Sequence, residues 1–240
     1  MHPILFHWGP ITLYSYGVLL ALGVLLAVRL ASSRAGVLGT TPARTTDFII
    51  WVVLGGLLGA RVVYVLQHWP LYAATPLEIL RLDHGGLVFY GGLLGGFVTA
   101  GLLIRRWRWP LVATLSFFIP YVALAQAIGR LGCFFNGCCY GRPTTLPWGV
   151  RFPGETVARH PTQLYEAAAL FLLYGVLRRA YATRPSAVIG IYFLGYGGWR
   201  FLVEFLRGDN PAVIGPLTFS QVVSVPCALL GLWLIGRRAA

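Results

Sequence analysis

The chain has 240 residues, 57% of them hydrophobic and 11% charged, with a mean hydropathy of +0.71. A soluble domain has about a quarter of its residues charged, so these figures exclude an ordinary soluble protein. They also exclude a disordered chain, which needs low hydrophobicity, and a disulfide scaffold, which needs denser cysteine than four in the whole chain. The net charge of +12 comes from 19 arginines against seven acids, with no lysine; in a polytopic membrane protein such an excess serves orientation and does not imply a nucleic-acid partner.

Crossing the hydrocarbon of a bilayer takes roughly 20 apolar residues. Runs of that kind lie near 11–31, 47–66, 86–104, 112–129, 164–182, 187–206 and 217–236. They are rich in Leu, Val, Ala and Gly without period-two alternation, which predicts an all-α polytopic membrane protein of about seven transmembrane helices rather than a barrel. No Lys or Arg occurs up to Val28, so the first run reads as a retained span, not a cleaved signal. Residues 1–240 read as one transmembrane domain with a longer outer loop at about 130–163.

Sorted alternately, eleven arginines fall on one side: Arg29, Arg34, Arg44, Arg105, Arg106, Arg108, Arg178, Arg179, Arg184, Arg237 and Arg238. Six fall on the other, Arg81, Arg130, Arg142, Arg151, Arg159 and Arg207, while Arg61 and Arg200 lie within spans. The positive-inside rule then predicts the N-terminus outside and the C-terminus in the cytoplasm. Four of the outer arginines share the segment 130–159, where orientation disfavours them, so a ligand or a packing role is sought there.

In chain order, Tyr14 and Tyr16 precede Gly17 in the first span, as belt aromatics or as cavity hydroxyls. The third span follows Leu82-Asp83-His84-Gly85-Gly86 and carries Tyr90 with Gly91, Gly92, Gly95 and Gly96. These last four glycines form overlapping small-xxx-small pairs that suit close helix packing, whereas Gly85-Gly86 suits irregular backbone lining a cavity. Tyr90 fits an interfacial belt as well as a functional hydroxyl. The outer segment opens with Gly129-Arg130-Leu131-Gly132-Cys133-Phe134-Phe135-Asn136-Gly137-Cys138-Cys139. There an arginine beside exposed backbone amides suits a phosphate, with interfacial snorkelling as the plainer alternative. The C-x4-C-C spacing allows a disulfide or a reactive thiol. With no Cys-x-x-Cys and no His at zinc-ligand spacing, a metal site is not expected, nor is a cofactor.

His160-Pro161-Thr162-Gln163-Leu164-Tyr165-Glu166 opens the fifth span, with Thr162 placed as a helix cap and Glu166 as a first-turn acid. In the sixth, Tyr196, Arg200, Glu204 and Arg207 are spaced four, four and three apart and share one helix face. Arg200 and Glu204 can pair across a turn, as a structural bridge or as part of a polar site.

Together these motifs resemble the prolipoprotein diacylglyceryl transferase family over nearly the whole chain. Tyr14-Ser15-Tyr16-Gly17, Gly55 to Arg61, Gly85 to Gly96, Gly129 to Gly137, His160 to Glu166 and Tyr196 to Arg207 carry the likeness. The resemblance implies a multi-pass enzyme of the bacterial inner membrane, without a cofactor. It moves the diacylglyceryl group of phosphatidylglycerol to the lipobox cysteine thiol beside a prolipoprotein signal peptide, making a thioether and releasing glycerol phosphate. By position it implies a catalytic set of Tyr90, Arg200 and Glu204. The implied substrate-binding set is Arg130, Tyr16, Asn136, Gly137, Cys133, Cys138, His160, Tyr196 and Arg207, with Arg130 and Arg200 on the phosphate. The chain departs from the family pattern at Tyr90, Cys133 and Cys138, which stand where the family usually has His, Asn and Glu. A tyrosine, with an ordinary pKa of about 10, is a poor base, so the family's base assignment does not transfer. Two other readings fit these departures: a phospholipid-dependent transferase with a different acceptor, or a non-catalytic membrane thiol or lipid-binding protein.

Overall fold

The computed structural model describes residues 2–9, 11–81 and 85–237; His84 and Arg238 lie outside them. The long helices are α1 (Ser15–Ser32), α2 (Pro42–Gln67), α4 (Phe89–Trp107), α5 (Leu111–Asn136), α6 (Thr162–Thr183), α7 (Val188–Val203) and α8 (Phe219–Gly236), with a short α3 (Trp69–Ala74) after α2. Among the described residues, five segments are long and apolar enough to cross a membrane: α1, α2, α5, Pro185–Leu206 around α7, and α8. The protein is thus helical and polytopic. Helix α4 carries Arg105 and Arg106 in its last turn, and α6 carries Glu166, Arg178 and Arg179.

Two small antiparallel ribbons interrupt the predicted runs. The apolar pattern starts the first span at residue 11, but Ile11–Tyr14 forms β2 against β1 (Ile4–Trp8), and α1 starts at Ser15. Likewise β3 (Ala212–Ile214) pairs with β4 (Leu217–Thr218), which delays α8 to Phe219. There the sequence Thr218-Phe219-Ser220-Gln221 makes a capping box, the Thr218 amide donating to Gln221 Oε1 at 3.0 Å and the Gln221 amide to Thr218 Oγ1 at 3.4 Å.

The chain divides into two compact units, Ala31–Thr114 and Met1–Leu30 with Leu115–Ala240. In the first, α2 and α4 pack through glycine. A Cβ on Gly59 would run into the Gly91 carbonyl oxygen and sit 2.8 Å from Gly95 Cα, so the expected packing role of these glycines holds. Apolar burial drives little association inside lipid, and close van der Waals approach of backbones takes its place. Arg61 is buried and anchors the connection into α4. Its guanidinium donates to the carbonyls of Glu78, Ile79, Arg81, Gly85 and Gly86 at 2.6 to 3.1 Å. Gly85 and Gly86 both have positive φ, 75° and 80°, the irregular backbone expected there; its five carbonyl acceptors make Arg61 a structural residue.

In the second unit, Ala123 and Ala127 of α5, Leu170 and Leu177 of α6 and Val188 at the start of α7 form a buried core, with Tyr174, Tyr192 and Tyr196 packed against it. The two alanines lie one turn apart, so their small side chains let larger neighbours close in. Helices α7 and α8 meet at Gly190 and Gly231, where a Cβ on Gly231 would lie 2.7 Å from the Gly190 oxygen.

Candidate functional site

The site grows from the ends of three helices in the second unit. Arg130 sits near the end of α5 and Arg200 near the end of α7, while Glu166 lies just beyond the first turn of α6, which holds no acid, so the expected first-turn position is corrected: its carboxylate serves the arginines and not the helix end. Glu166 is 1% exposed and joins the two arginines: Arg130 Nε contacts its Oε2, and Arg200 Nη1 lies 3.4 Å from its Oε1. Arg200 Nη1 also meets Glu204 Oε2 at 2.6 Å, the expected pairing across one turn, and its Nη2 donates to Ser220 Oγ at 2.9 Å.

Glu204 is buried and accepts from Asn210 Nδ2 at 2.6 Å and from Thr218 Oγ1 at 2.8 Å. The expected helix face runs through a change of geometry, because α7 ends at Val203, Glu204–Leu206 is a 3-10 turn and Arg207 is extended. Arg207 Nε still lies 3.9 Å from Glu204, and the same guanidinium grips Asp209 with two bonds of 3.0 and 2.6 Å. Three arginines therefore alternate with three of the seven acids of the chain. Burying such charges costs several kcal/mol per ion unless they pair well, and here the pairing extends across helices. The side chains of Arg130 and Arg200 remain 22% and 14% exposed, against 1% or less for Glu166 and Glu204. An incoming group would meet guanidinium, not carboxylate.

Beyond α5 the chain turns through Gly137, with φ 74°, and Cys139, with φ 65°. The second angle is unusual for a residue with a side chain and costs about 1–3 kcal/mol. The start of α6 holds it there: Thr162 Oγ1 donates to the Cys139 carbonyl at 2.9 Å and Gln163 Nε2 to the Cys138 carbonyl at 2.5 Å. The expected cap at Thr162 is corrected accordingly. Pro161 precedes the helix, Thr162 is its first residue, and the threonine hydroxyl serves the cysteine loop instead. Cys133, Cys138 and Cys139 are free thiols whose sulfurs all lie within 4.8 Å of one another, with 3.1 Å between Cys138 and Cys139. Hydrogen bonds from the Cys133, Cys139 and Asn136 side chains, helped by the charge of the nearby Arg130 guanidinium, hold the Cys138 thiol well below its ordinary value, against the opposing effect of burial.

The outer loop is stitched to the end of α7. Arg142 accepts from the His160 amide through its carbonyl, donates its own amide to Leu206 O at 2.7 Å, and donates Nε to Arg207 O at 2.9 Å. Gly141 is required at this crossing, since a Cβ would lie 2.5 Å from the Leu206 oxygen and 2.8 Å from His160 Cβ. The His160 ring faces the Tyr165 hydroxyl at 3.4 Å, and Trp148 donates to that hydroxyl at 2.8 Å. Tyr140 donates to Glu155 at 2.6 Å, and Arg159 meets the same carboxylate at 2.6 Å. This raises the Tyr140 phenol and lowers the Glu155 carboxyl from their ordinary values.

The chain matches the prolipoprotein diacylglyceryl transferase family over residues 3–237. It is 36% identical to the phosphatidylglycerol–prolipoprotein diacylglyceryl transferase of Clostridium tetani, over 98% of this chain and 96% of that one. It is 38% identical to the protein of the same name from Bordetella parapertussis, over 95% and 92%, and 37% identical to that of Ruegeria pomeroyi, over 95% and 88%. The chain belongs to this family. Of the residues that membership of the diacylglyceryl transferase family brings into question, Arg130, Arg200, Glu204 and Arg207 converge in one network. Tyr196 lies beside Arg130 and lines a mostly apolar groove of about 570 Å³ between α6 and α7, with Tyr165, Leu172, Leu173, Val176 and Trp199. Tyr16 packs against Gly132, where a Cβ would be 3.2 Å from its ring, on the same stretch of α5 as Arg130 and Cys133. Asn136 and Gly137 form the turn into the cysteine loop, and His160 lies on the far side of that loop. Tyr90 is on the exposed first turn of α4, edge-on to Phe89 at 5.5 Å, within the Ala31–Thr114 unit.

Sequence reasoning missed Glu166 as the shared partner of two arginines, together with Gln163, Asp209, Asn210 and Ser220. Only Thr218 and Gln221 had a local signal, the capping-box spacing. Glu166, Gln163 and Ser220 act across elements, so no window of sequence contains both partners; Asp209 and Asn210 lie two and six residues from Arg207 and Glu204, but on irregular backbone whose spacing has no periodic signature.

Proposed function

We propose that this chain transfers the diacylglyceryl group of phosphatidylglycerol to the lipobox cysteine thiol of prolipoproteins, the first step of bacterial lipoprotein maturation, in the inner membrane. In the reaction the acceptor sulfur attacks the glyceryl carbon that bears the phosphate oxygen, a C–S bond forms, the C–O bond breaks, and glycerol phosphate leaves with the electron pair. The observation that carries the reading is the Arg130–Glu166–Arg200–Glu204 chain, whose acids are buried while its guanidiniums keep an open edge. Charge developing on a phosphate leaving group is stabilised by pre-positioned cations, each worth about 100- to 1,000-fold in rate.

In this reading Arg130 and Arg200 hold the phosphate, Glu166 and Glu204 fix them, and Arg207 supports Glu204. Tyr196 and Tyr16 border the lipid, and Asn136, Gly137, Cys133, Cys138 and His160 shape the outer loop near the acceptor. Tyr90 contributes a hydroxyl at the outer boundary. The protein is one domain of seven spans with its N-terminus outside. The test is incubation of the purified protein with phosphatidylglycerol and a lipobox peptide, followed by mass spectrometry. A peptide heavier by one diacylglyceryl group, absent when serine replaces the peptide cysteine, is expected. Folded, lipid-bound protein that makes no thioether would overturn the reading.

A further inference from the structure

We propose that Cys133, Cys138 and Cys139 form a three-thiolate site for one zinc ion, whose fourth corner takes the acceptor thiol. The second half of this statement rests on the transferase reading above. The first half stands on geometry. The three sulfurs lie within 4.8 Å of one another, Cys138 and Cys139 at 3.1 Å, and tetrahedral zinc with bonds of about 2.3 Å spans sulfur pairs of about 3.8 Å, so a bound ion would spread the Cys138–Cys139 pair by side-chain rotation. Consecutive residues in extended backbone point to opposite sides, so Cys138 and Cys139 can share an ion only if the chain is bent. It is bent by the left-handed Gly137 and Cys139 and clamped by Thr162 and Gln163. Cys133 comes from the last turn of α5 and receives the Cys138 amide on its carbonyl at 3.2 Å. A rigid helix and a fixed loop thus present three soft ligands together, although the cysteine spacing alone argues against a metal.

Among the described residues the group consists of these three cysteines. Sites with three protein ligands are those that keep a place for an exogenous group. Arg130 precedes Cys133 by one helical turn and offsets the negative charge of a zinc tris-thiolate. A coordinated thiol loses its proton outright, which supplies a nucleophile at neutral pH. The acceptor S–H would bind zinc and release its proton to water. Its sulfur would then attack the glyceryl carbon, and the glycerol phosphate would leave with the C–O electron pair. The neutral thioether is a weak ligand and departs, with the zinc oxidation state unchanged.

The test uses the full chain, reduced and in detergent without phosphatidylglycerol, titrated with cobalt(II) as a spectroscopic substitute. About one cobalt per chain, with sulfur-to-cobalt charge-transfer absorption and tetrahedral visible bands, is expected. Cys133→Ser, Cys138→Ser and Cys139→Ser should each weaken binding at least about 100-fold with helical circular dichroism intact, and Cys227→Ser on α8 should leave it unchanged. A lipobox peptide should shift the visible bands, and its serine analogue should not. Reduced, folded protein without thiolate–cobalt absorption overturns the metal site, as does a signal that survives all three substitutions. A cobalt signal indifferent to the peptide thiol overturns the acceptor role. A peptide-sensitive signal without thioether formation once phosphatidylglycerol is added supports the site and counts against the transferase reading.

Discussion

Glu166 neutralises two guanidiniums that come from different helices, so changing it alters charge at both ends of the network. Glu166→Gln keeps the shape but leaves Arg130 without its carboxylate and Arg200 with Glu204 alone. Removing one partner of a buried ion pair costs about 3–5 kcal/mol, and displaced guanidiniums should lower kcat/KM about 100-fold or more. Thermal unfolding in detergent and thioether formation measure the two effects. Arg200→Lys separates charge from geometry. Lysine brings a point charge that cannot serve Glu204, Glu166 and Ser220 at once, so activity should fall at least about 10-fold, an outcome that activity close to the unmodified protein's would refute. These residues also show what the sequence reveals. The Arg200–Glu204 pair was legible because both lie on one helix, four positions apart. The Arg130–Glu166 pair was not, because nothing in either segment specifies how α5 and α6 align. The meeting of the three cysteines depends on a left-handed Cys139, a conformation that no residue type announces.

At the scale of elements, glycine spacing was the most readable feature, since small residues one turn apart are useful in lipid only where another backbone approaches. Gly59→Val should place its Cβ against Gly91 and Gly95 and destabilise the α2–α4 pair by about 1–3 kcal/mol. Gly101→Val on α4, where nothing lies within 4 Å, is the matched control. The outer loop offers a pH test. The bond between Tyr140 and Glu155 needs a protonated phenol and an ionised carboxylate. The lowered Glu155 contributes stability that is present above its unfolded value and lost as pH falls through the lower folded value. The raised Tyr140 contributes below its unfolded value and loses it as pH rises through the higher folded one. Fluorescence of Trp148, which donates to Tyr165 in the same loop, should therefore change at both extremes, and Tyr140→Phe should remove the alkaline change. The loop's contacts were illegible beforehand because short bridges such as Pro143–Arg159 and Val150–Arg159 have no periodic signature.

For the whole molecule, arginine counting does not separate seven crossings from five. If only the five most apolar helices span, and Arg130 is counted inside α5, eleven arginines again fall on the side of the C-terminus, because 105–108 and 142–159 exchange sides. We favour seven crossings on helix direction. Arg130 near the end of α5 and Arg200 near the end of α7 meet at one carboxylate, so the C-terminal ends of both helices lie together. Two consecutive crossings would put those ends on opposite membrane faces; an intervening crossing by α6, which brings Glu166 to the same point with its N-terminal end, satisfies the contact. In the other unit, Gly55 faces Thr99 and Gly59 faces Gly91, so α4 runs antiparallel along α2, as a neighbouring span would. Seven crossings place the 137–161 loop outside, and five place it in the cytoplasm. A protease site inserted at Gly154, which is exposed and where a Cβ would meet no heavy atom within 4 Å, should be cut in intact spheroplasts with seven crossings. Cleavage only after lysis would overturn the seven-span arrangement and would separate the cysteine loop from an acceptor presented on the outer face.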